Sequence, residues 1–257
     1  MMRALALVSF LVFLYLLGPI LVVVASAFGA TSYLAFPPQG FTLKWFAAAL
    51  ADSRYLDAFG TSLMVATAAT ILSVAIGLPA AYALARYDFP GRRWIEALIL
   101  MPLVLPALVL SIALLILFSR IGFTAGTSRL IVAHLVICVP YVIRVSVPVL
   151  LRVDPTLEEA ARSLGASPVA TFFFVTLPVI RPGAIAAATL AFIVSFDEVD
   201  MAIFLADPRS PTLPVTIYSA IQLGIDPTVG AVSALLVLIA VAAMAAYQMV
   251  LWRRASA

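Results

Sequence analysis

Ala4 to Phe28 runs without a single charged side chain, and few folds accept such a stretch. A bilayer core of about 30 Å is crossed by roughly 20 apolar residues in a helix. Lipid offers the backbone no hydrogen-bond partners, so each crossing must satisfy its own amides. Thr61 to Ala85 and Val229 to Trp252 are equally free of charge, and Ala97 to Phe118 is a fourth run interrupted by Pro102 and Pro106. Leu130 to Leu151 contains Arg144, and Gly183 to Ala206 contains Asp197, Glu198 and Asp200. The expected fold is all-α: one transmembrane domain over 1–257, with spans at 4–28, 61–85, 97–118, 130–151, 183–206 and 229–252.

Composition agrees. Of 257 residues, 65% are hydrophobic and 11% charged, and mean hydropathy is +1.17. Soluble domains are about 45–50% apolar. The net charge of +3 comes with no basic run, which argues against a nucleic-acid partner. One cysteine, Cys138, excludes an internal disulfide, and Cys138 with the single histidine, His134, makes no four-ligand metal site. Arg3 and the Ala25-Ser26-Ala27 triplet give the first run the look of a secretion signal. Its apolar run is longer than the 7–15 residues of a cleavable signal, so an uncleaved first helix is expected.

Basic residues orient the bundle. With the N-terminus inside, the cytoplasmic segments carry Arg3, Arg86, Arg92, Arg93, Arg152, Arg162, Arg181, Arg253 and Arg254. The outer segments carry only Lys44, Arg54, Arg120, Arg129 and Arg209. Both termini are therefore expected in the cytoplasm. Outside, Thr42 can cap a short helix through Leu50, with Trp45 and Phe46 at interface depth. The run from Pro214 to Gly224 reads as a segment along the membrane surface, either a lid on the bundle or a dock for an extracytoplasmic partner.

The longest cytoplasmic segment, 152–182, has turn chemistry of its own. Thr156 followed by Glu159 reads as a capping box, and Glu158 and Glu159 suit the positive end of a helix. Ala160 and Ala161 leave a low face that another surface can approach. Gly165 can end the helix in the left-handed conformation. Ser167 then caps a second helix with Pro168 at its first position, and Pro178 is expected to close it. The expectation is two short helices meeting at a glycine.

Glu159-Ala160-Ala161, Gly165, Val175 and Leu177-Pro178 resemble the EAA loop of permeases in ABC importers, with valine where isoleucine is common. That resemblance implies a type I importer permease architecture. It also implies that Glu158, Glu159, Ala160, Ala161, Gly165, Leu177 and Pro178 form the element coupled to an ATPase. Implied partners are two ATPase subunits carrying ATP and magnesium, a second similar permease and an extracytoplasmic binding protein, in a bacterial inner membrane. Ala80 to Arg86, Phe89 to Arg93 and Pro102 to Pro106 are also similar to this family. Ser195-Phe196-Asp197-Glu198-Val199 and Leu213-Pro214 through Tyr218 resemble its spermidine/putrescine branch, in the second permease subunit of the pair.

The energy must come from elsewhere. A phosphate-binding loop needs Gly-Lys before Ser or Thr, and the sole lysine, Lys44, follows Leu43. No residue is expected to do bond-making chemistry. An intramembrane enzyme lacks support, since neither His-Glu-x-x-His nor Gly-x-Ser-x-Gly occurs. An ion-coupled secondary transporter would use buried acids but has no need of the cytoplasmic hairpin.

Ionisable side chains inside a span cost about 2.5–3.5 kcal/mol each. Asp197 and Asp200 are expected on one helix face, with Glu198 beside it, in the outer half of the bilayer. One reading makes these acids a cation-attracting stretch of the translocation path; the other makes them structural partners of Arg120 or Arg129. Arg144 is read as snorkelling inward or touching the neighbouring loop, with substrate binding as the alternative, and His134 as packing or a proton relay. The expected substrate is a polyamine. Relatives of this kind also carry opines, phosphonates, amino-acid-like compounds or ferric ion.

Overall fold

The computed structural model describes the backbone of residues 2–124, 126–224 and 226–255, and the side chains of 5–245 and 249 within those ranges. Arg3, Arg253, Arg254 and the two terminal residues, used above for orientation, lie outside the described side chains. Among the described residues there are helices and no strands. Five helices are long and apolar enough to cross a membrane, six if one sharply bent pair counts as a span. The chain divides into two compact units, residues 58–215 and residues 1–57 with 216–257.

The smaller unit is built from α1 (Met2–Ser26), α2 (Lys44–Ala51) and α12 (Pro227–Ala255). Nearly every described side chain of α1 is exposed, as suits a helix whose surroundings are lipid or another subunit. Ser26 and Ala27 at its end are buried, so the triplet that resembled a cleavage site is packed. Thr42 accepts a hydrogen bond from the Lys44 amide at 3.2 Å, so the expected cap is made one residue outside the helix. Trp45 points inward, its Nε1 donating to the Gly29 carbonyl at 3.0 Å.

The larger unit starts within α3 (Ser53–Arg86) and ends within α11 (Leu213–Leu223). Between them lie α4 (Arg92–Leu100), a 3₁₀ turn (Met101–Leu103), α5 (Ala107–Arg120) and α6 (Gly126–Leu151). Next come α7 (Thr156–Ser163), α8 (Pro168–Thr171), a π turn (Phe172–Thr176), α9 (Leu177–Phe196) and α10 (Asp200–Leu205). The axis of this unit is the α6–α9 pair. Its seam is lined by small residues, Cys138, Ala187 and Ala191, all fully buried, with the Cys138 thiol 3.5 Å from the Ala191 carbonyl. Gly183 makes the close approach possible, because a Cβ there would meet Val149 Cγ1 at 2.7 Å. Membrane helices associate through such small-residue contacts, since lipid supplies no hydrophobic drive between them.

Two spans differ from expectation. The run 97–118 is not one straight helix: Arg92–Leu103 and Ala107–Arg120 meet at a bend of 102°. Pro102 and Pro106 each remove an amide donor, and Pro106 excludes Leu105 from the helical region. The bend falls at Pro106, whose ψ of 129° is extended. The fifth span also moves. A continuous helix runs over Pro168–Phe196, so Pro178 does not close the second hairpin helix. Pro178 lies in the first turn of α9, and the π turn before it absorbs the missing donor, with the Leu177 amide bonding back to Phe172 O. The helix then stops at Phe196 rather than running to Ala206.

Candidate functional site

The hairpin between α6 and α9 forms from the local chemistry of its own sequence, with one correction. The α7 helix begins not with a Thr156 capping box but with Asp154, whose Oδ1 accepts the Thr156 amide at 3.0 Å. Pro155 already has helical angles, φ −63° and ψ −20°. Thr156 is thus inside the helix, where its hydroxyl cannot cap. The Thr156 amide holds the Asp154 carboxyl below its usual range.

At the other end Gly165 has φ +91°. Its amide donates to Arg162 O at 2.9 Å and the Ala166 amide to Ala161 O at 3.1 Å, the paired bonds of a Schellman turn. Ser167 Oγ then accepts the Ala170 amide at 3.2 Å and caps α8. The hairpin's outer surface is open: Glu159, Ala160, Leu164 and Gly165 are exposed, Leu164 at 90%. Ala161 and Leu177 are half-buried, and Pro178 is exposed.

The two glutamates of α7 part company. Glu159 faces outward. Glu158 is 2% exposed. Its Oε2 accepts from the Tyr82 hydroxyl at 2.9 Å, and its Oε1 accepts from Arg86 Nε at 3.1 Å and from Thr176 Oγ1 at 3.1 Å. Arg86 Nη2 also donates to Val153 O at 3.0 Å. Arg162 Nη2 lies 3.8 Å from Glu158 Oε2 and donates to the Tyr82 hydroxyl at 3.0 Å. One carboxylate thereby ties α7 to the C-terminal end of α3 and to the π turn leading into α9. Removing one partner of a buried, hydrogen-bonded pair costs about 3–5 kcal/mol.

The meeting of Tyr82, Arg86 and Thr176 with Glu158 is not expected from the sequence. Tyr82 and Arg86 stand four apart at the end of a span, which puts them on one face. Nothing local marks their partner, 76 and 72 residues further on.

The acids expected in the fifth span sit instead at a break between helices. Asp197 follows the last turn of α9, Glu198 and Val199 occupy the break, and Asp200 opens α10. Asp197 and Asp200 therefore share no helix face. Glu198 Oε1 accepts the Met201 amide at 3.1 Å and caps α10. Breaking the helix supplies such backbone donors, which a continuous apolar helix would withhold. Asp197 is exposed, Glu198 and Asp200 half-buried. Among the described residues no ion pair joins these acids to Arg120 or Arg129. Arg129 instead donates from Nε and Nη2 to Leu205 O, at 3.1 and 2.8 Å, and closes α10.

His134 is 1% exposed, with Nδ1 2.7 Å from Ser195 Oγ across the α6–α9 seam. That is a packing position. Arg144 is exposed on α6.

Residues 73–255 match the family described as the inner membrane component of binding-protein-dependent transport systems. The chain belongs to that family. This permease is 34% identical over 231 residues to the putrescine transport system permease protein PotI of Escherichia coli K12, covering 87% of this chain and 82% of PotI. It is 30% identical over 239 residues to the spermidine/putrescine permease protein PotC of the same strain, covering 93% and 90%. Its fold is similar to that of a bacterial ABC transporter involved in alginate import, with TM-score 0.75 at 16% identity over 96% of this chain and 94% of that one. The chain is a multi-pass permease subunit of the inner membrane and not an enzyme.

Proposed function

We propose that this permease forms half of a polyamine translocation path driven by separate ATPase subunits. A second, similar permease completes the path. Two ATPase subunits, each using ATP and magnesium, dock on the cytoplasmic hairpins, and a binding protein delivers solute from outside. Both termini lie in the cytoplasm. ATP binding draws the two hairpins together, and the spans open outward.

The observation that carries this reading is the presentation of the hairpin. Its turn at Gly165 leaves Glu159, Ala160 and Leu164 outward, while the buried Glu158 anchors α7 to the bundle. A capped helix with small residues at its crest fits a cleft closely. The polyamine assignment rests on similarity to PotI and PotC over most of the chain, and on the carboxylates at the α9–α10 break. A cluster of acids beside a low-dielectric wall concentrates cations and repels anions.

The test is uptake of labelled putrescine by membrane vesicles containing this permease, its second permease, ATPase and binding protein. ATP-dependent uptake suppressed by excess spermidine is the expected result. A binding protein that prefers an anion would overturn the substrate assignment, and uptake that persists without the ATPase would favour ion coupling.

A further inference from the structure

Two adjacent glutamates lie about 100° apart around α7, one buried and one exposed, and the geometry assigns them different tasks. We propose that Glu158 is a positioning residue, the joint through which movement of the hairpin reaches α3 and α9 together, while Glu159 meets the ATPase. This inference rests on the coupling role given to the hairpin above.

A hairpin that is pushed by a partner must push something in turn. Between α7 and the helices it could move, the chain offers two kinds of connection. The first is covalent, through Val153–Pro155 on one side and Gly165–Ser167 on the other, and both segments contain backbone that can turn. The second is a polar joint centred on the Glu158 carboxylate, which is buried and held by three donors from α3 and the π turn, Tyr82, Arg86 and Thr176. Exposed Arg162 of α7 adds one bond to the Tyr82 hydroxyl at its edge. Arg86 extends the grip by bonding the carbonyl of Val153, where the chain leaves α6.

A charged pair at 3.1 Å, with its remaining lone pairs occupied, has one preferred arrangement. It therefore transmits displacement where a loop would absorb it. Thr176 places the far end of this joint in the π turn, and π turns inside helices recur at functional sites. The carboxylate thus grips α3 directly and α9 at its first, wider turn. Packing alone would not ask for this arrangement: a leucine at position 158 would fill the site without three polar partners around it.

The test uses the full importer in lipid nanodiscs, with Cys138→Ser as background and spin labels at Asp88→Cys and Ser163→Cys, both exposed positions. With Glu158 intact, the distance between labels keeps one narrow distribution in the nucleotide-free and ATP-bound states. With Glu158→Gln the ATPase still co-purifies, the distribution splits or shifts on ATP binding, and solute moved per ATP falls about ten-fold. Arg86→Lys, which keeps the charge, couples better than Arg86→Gln, and Thr176→Val loses less than either. The proposal is overturned if Glu158→Gln leaves both the distance and the uptake per ATP unchanged. It is equally overturned if Glu158→Gln and Arg86→Lys both release the ATPase, which would make Glu158 a docking or folding residue. Should the unsubstituted complex take up no polyamine, the substrate assignment fails; the distance measurement needs only ATP and the ATPase, and still decides this point.

Discussion

The α7–α8 hairpin and the α9–α10 break each bring acidic residues together in an apolar protein, and they treat those acids in opposite ways. On α7, Glu158 is enclosed and met by three donors from other elements. At the break, Glu198 caps the six-residue helix that follows it, and Asp197 stays exposed. A carboxylate saturated by fixed donors holds elements in register and has no capacity left for a ligand. One with open lone pairs beside a helix end keeps its capacity for a cation. The same residue type is thereby fitted to be a joint in one place and free to attract a cation in the other, and its hydrogen-bond partners decide which.

The largest effect should come from breaking the hairpin without touching any acid. Gly165 has φ +91°, and a Cβ built there meets nothing within 4 Å, so a substitution is opposed by backbone conformation alone. A left-handed conformation costs an ordinary L-residue about 1–2 kcal/mol, and a β-branched one more. Gly165→Val should insert into the membrane normally yet abolish transport and blunt stimulation of the ATPase by loaded binding protein. Gly165→Ala should lose only part of both. Reconstituted uptake and ATPase assays check this, and normal transport by Gly165→Val would remove the hairpin from the coupling path.

The second experiment sharpens the other half of the comparison. Asp197→Asn and Asp200→Asn keep size and hydrogen-bonding shape and remove charge. Polyamine uptake should fall about three- to ten-fold in the double variant, each lost charge being worth up to about 1 kcal/mol in a partly hydrated site. Co-purification of the ATPase should not change. Wild-type uptake would make these acids structural, as Glu198 already is in part.

How far the sequence led differs between the same two regions. The hairpin's turn was legible because its signals are local: Gly165 ends one helix, and Ser167-Pro168 opens the next. The start of α7 misled because Thr156 and Glu159 have capping-box spacing, whereas Asp154-Pro155 acts one turn edge earlier. Glu158 could not be told from Glu159, since two of its three partners lie 72 and 76 residues away along the chain and the third 18. The acids misled for a different reason. Hydropathy carries a span on through Val199 to Ala206, but three acids in four residues favour ending the helix where backbone amides become available. Pro102 and Pro106 marked an interruption, yet only the structure gives its size, 102°.

The smallest effect should come from the cap at the base of the hairpin. Asp154 Oδ1 holds the Thr156 amide, and this bond draws its carboxyl below the usual value of 3.8. A depressed folded value means that the cap contributes above the ordinary aspartate range and is lost only as pH falls through the lower folded value. Between pH 5 and 8, roughly, the cap should be fully formed and add no pH dependence to transport. Asp154→Asn keeps the acceptor and should behave as the natural protein. Asp154→Ala leaves the amide to water, so hydrogen exchange over Thr156 to Glu159 should quicken. Uptake should fall by about two-fold or less, since one exposed cap is lost while the Glu158 joint still holds the helix from its other side. Exchange measured by mass spectrometry on the nanodisc-embedded importer reads the first effect, and vesicle uptake the second. If Asp154→Ala costs as much transport as Gly165→Val, then α7 is held mainly by its own ends, and the anchoring role given to the buried glutamate is wrong.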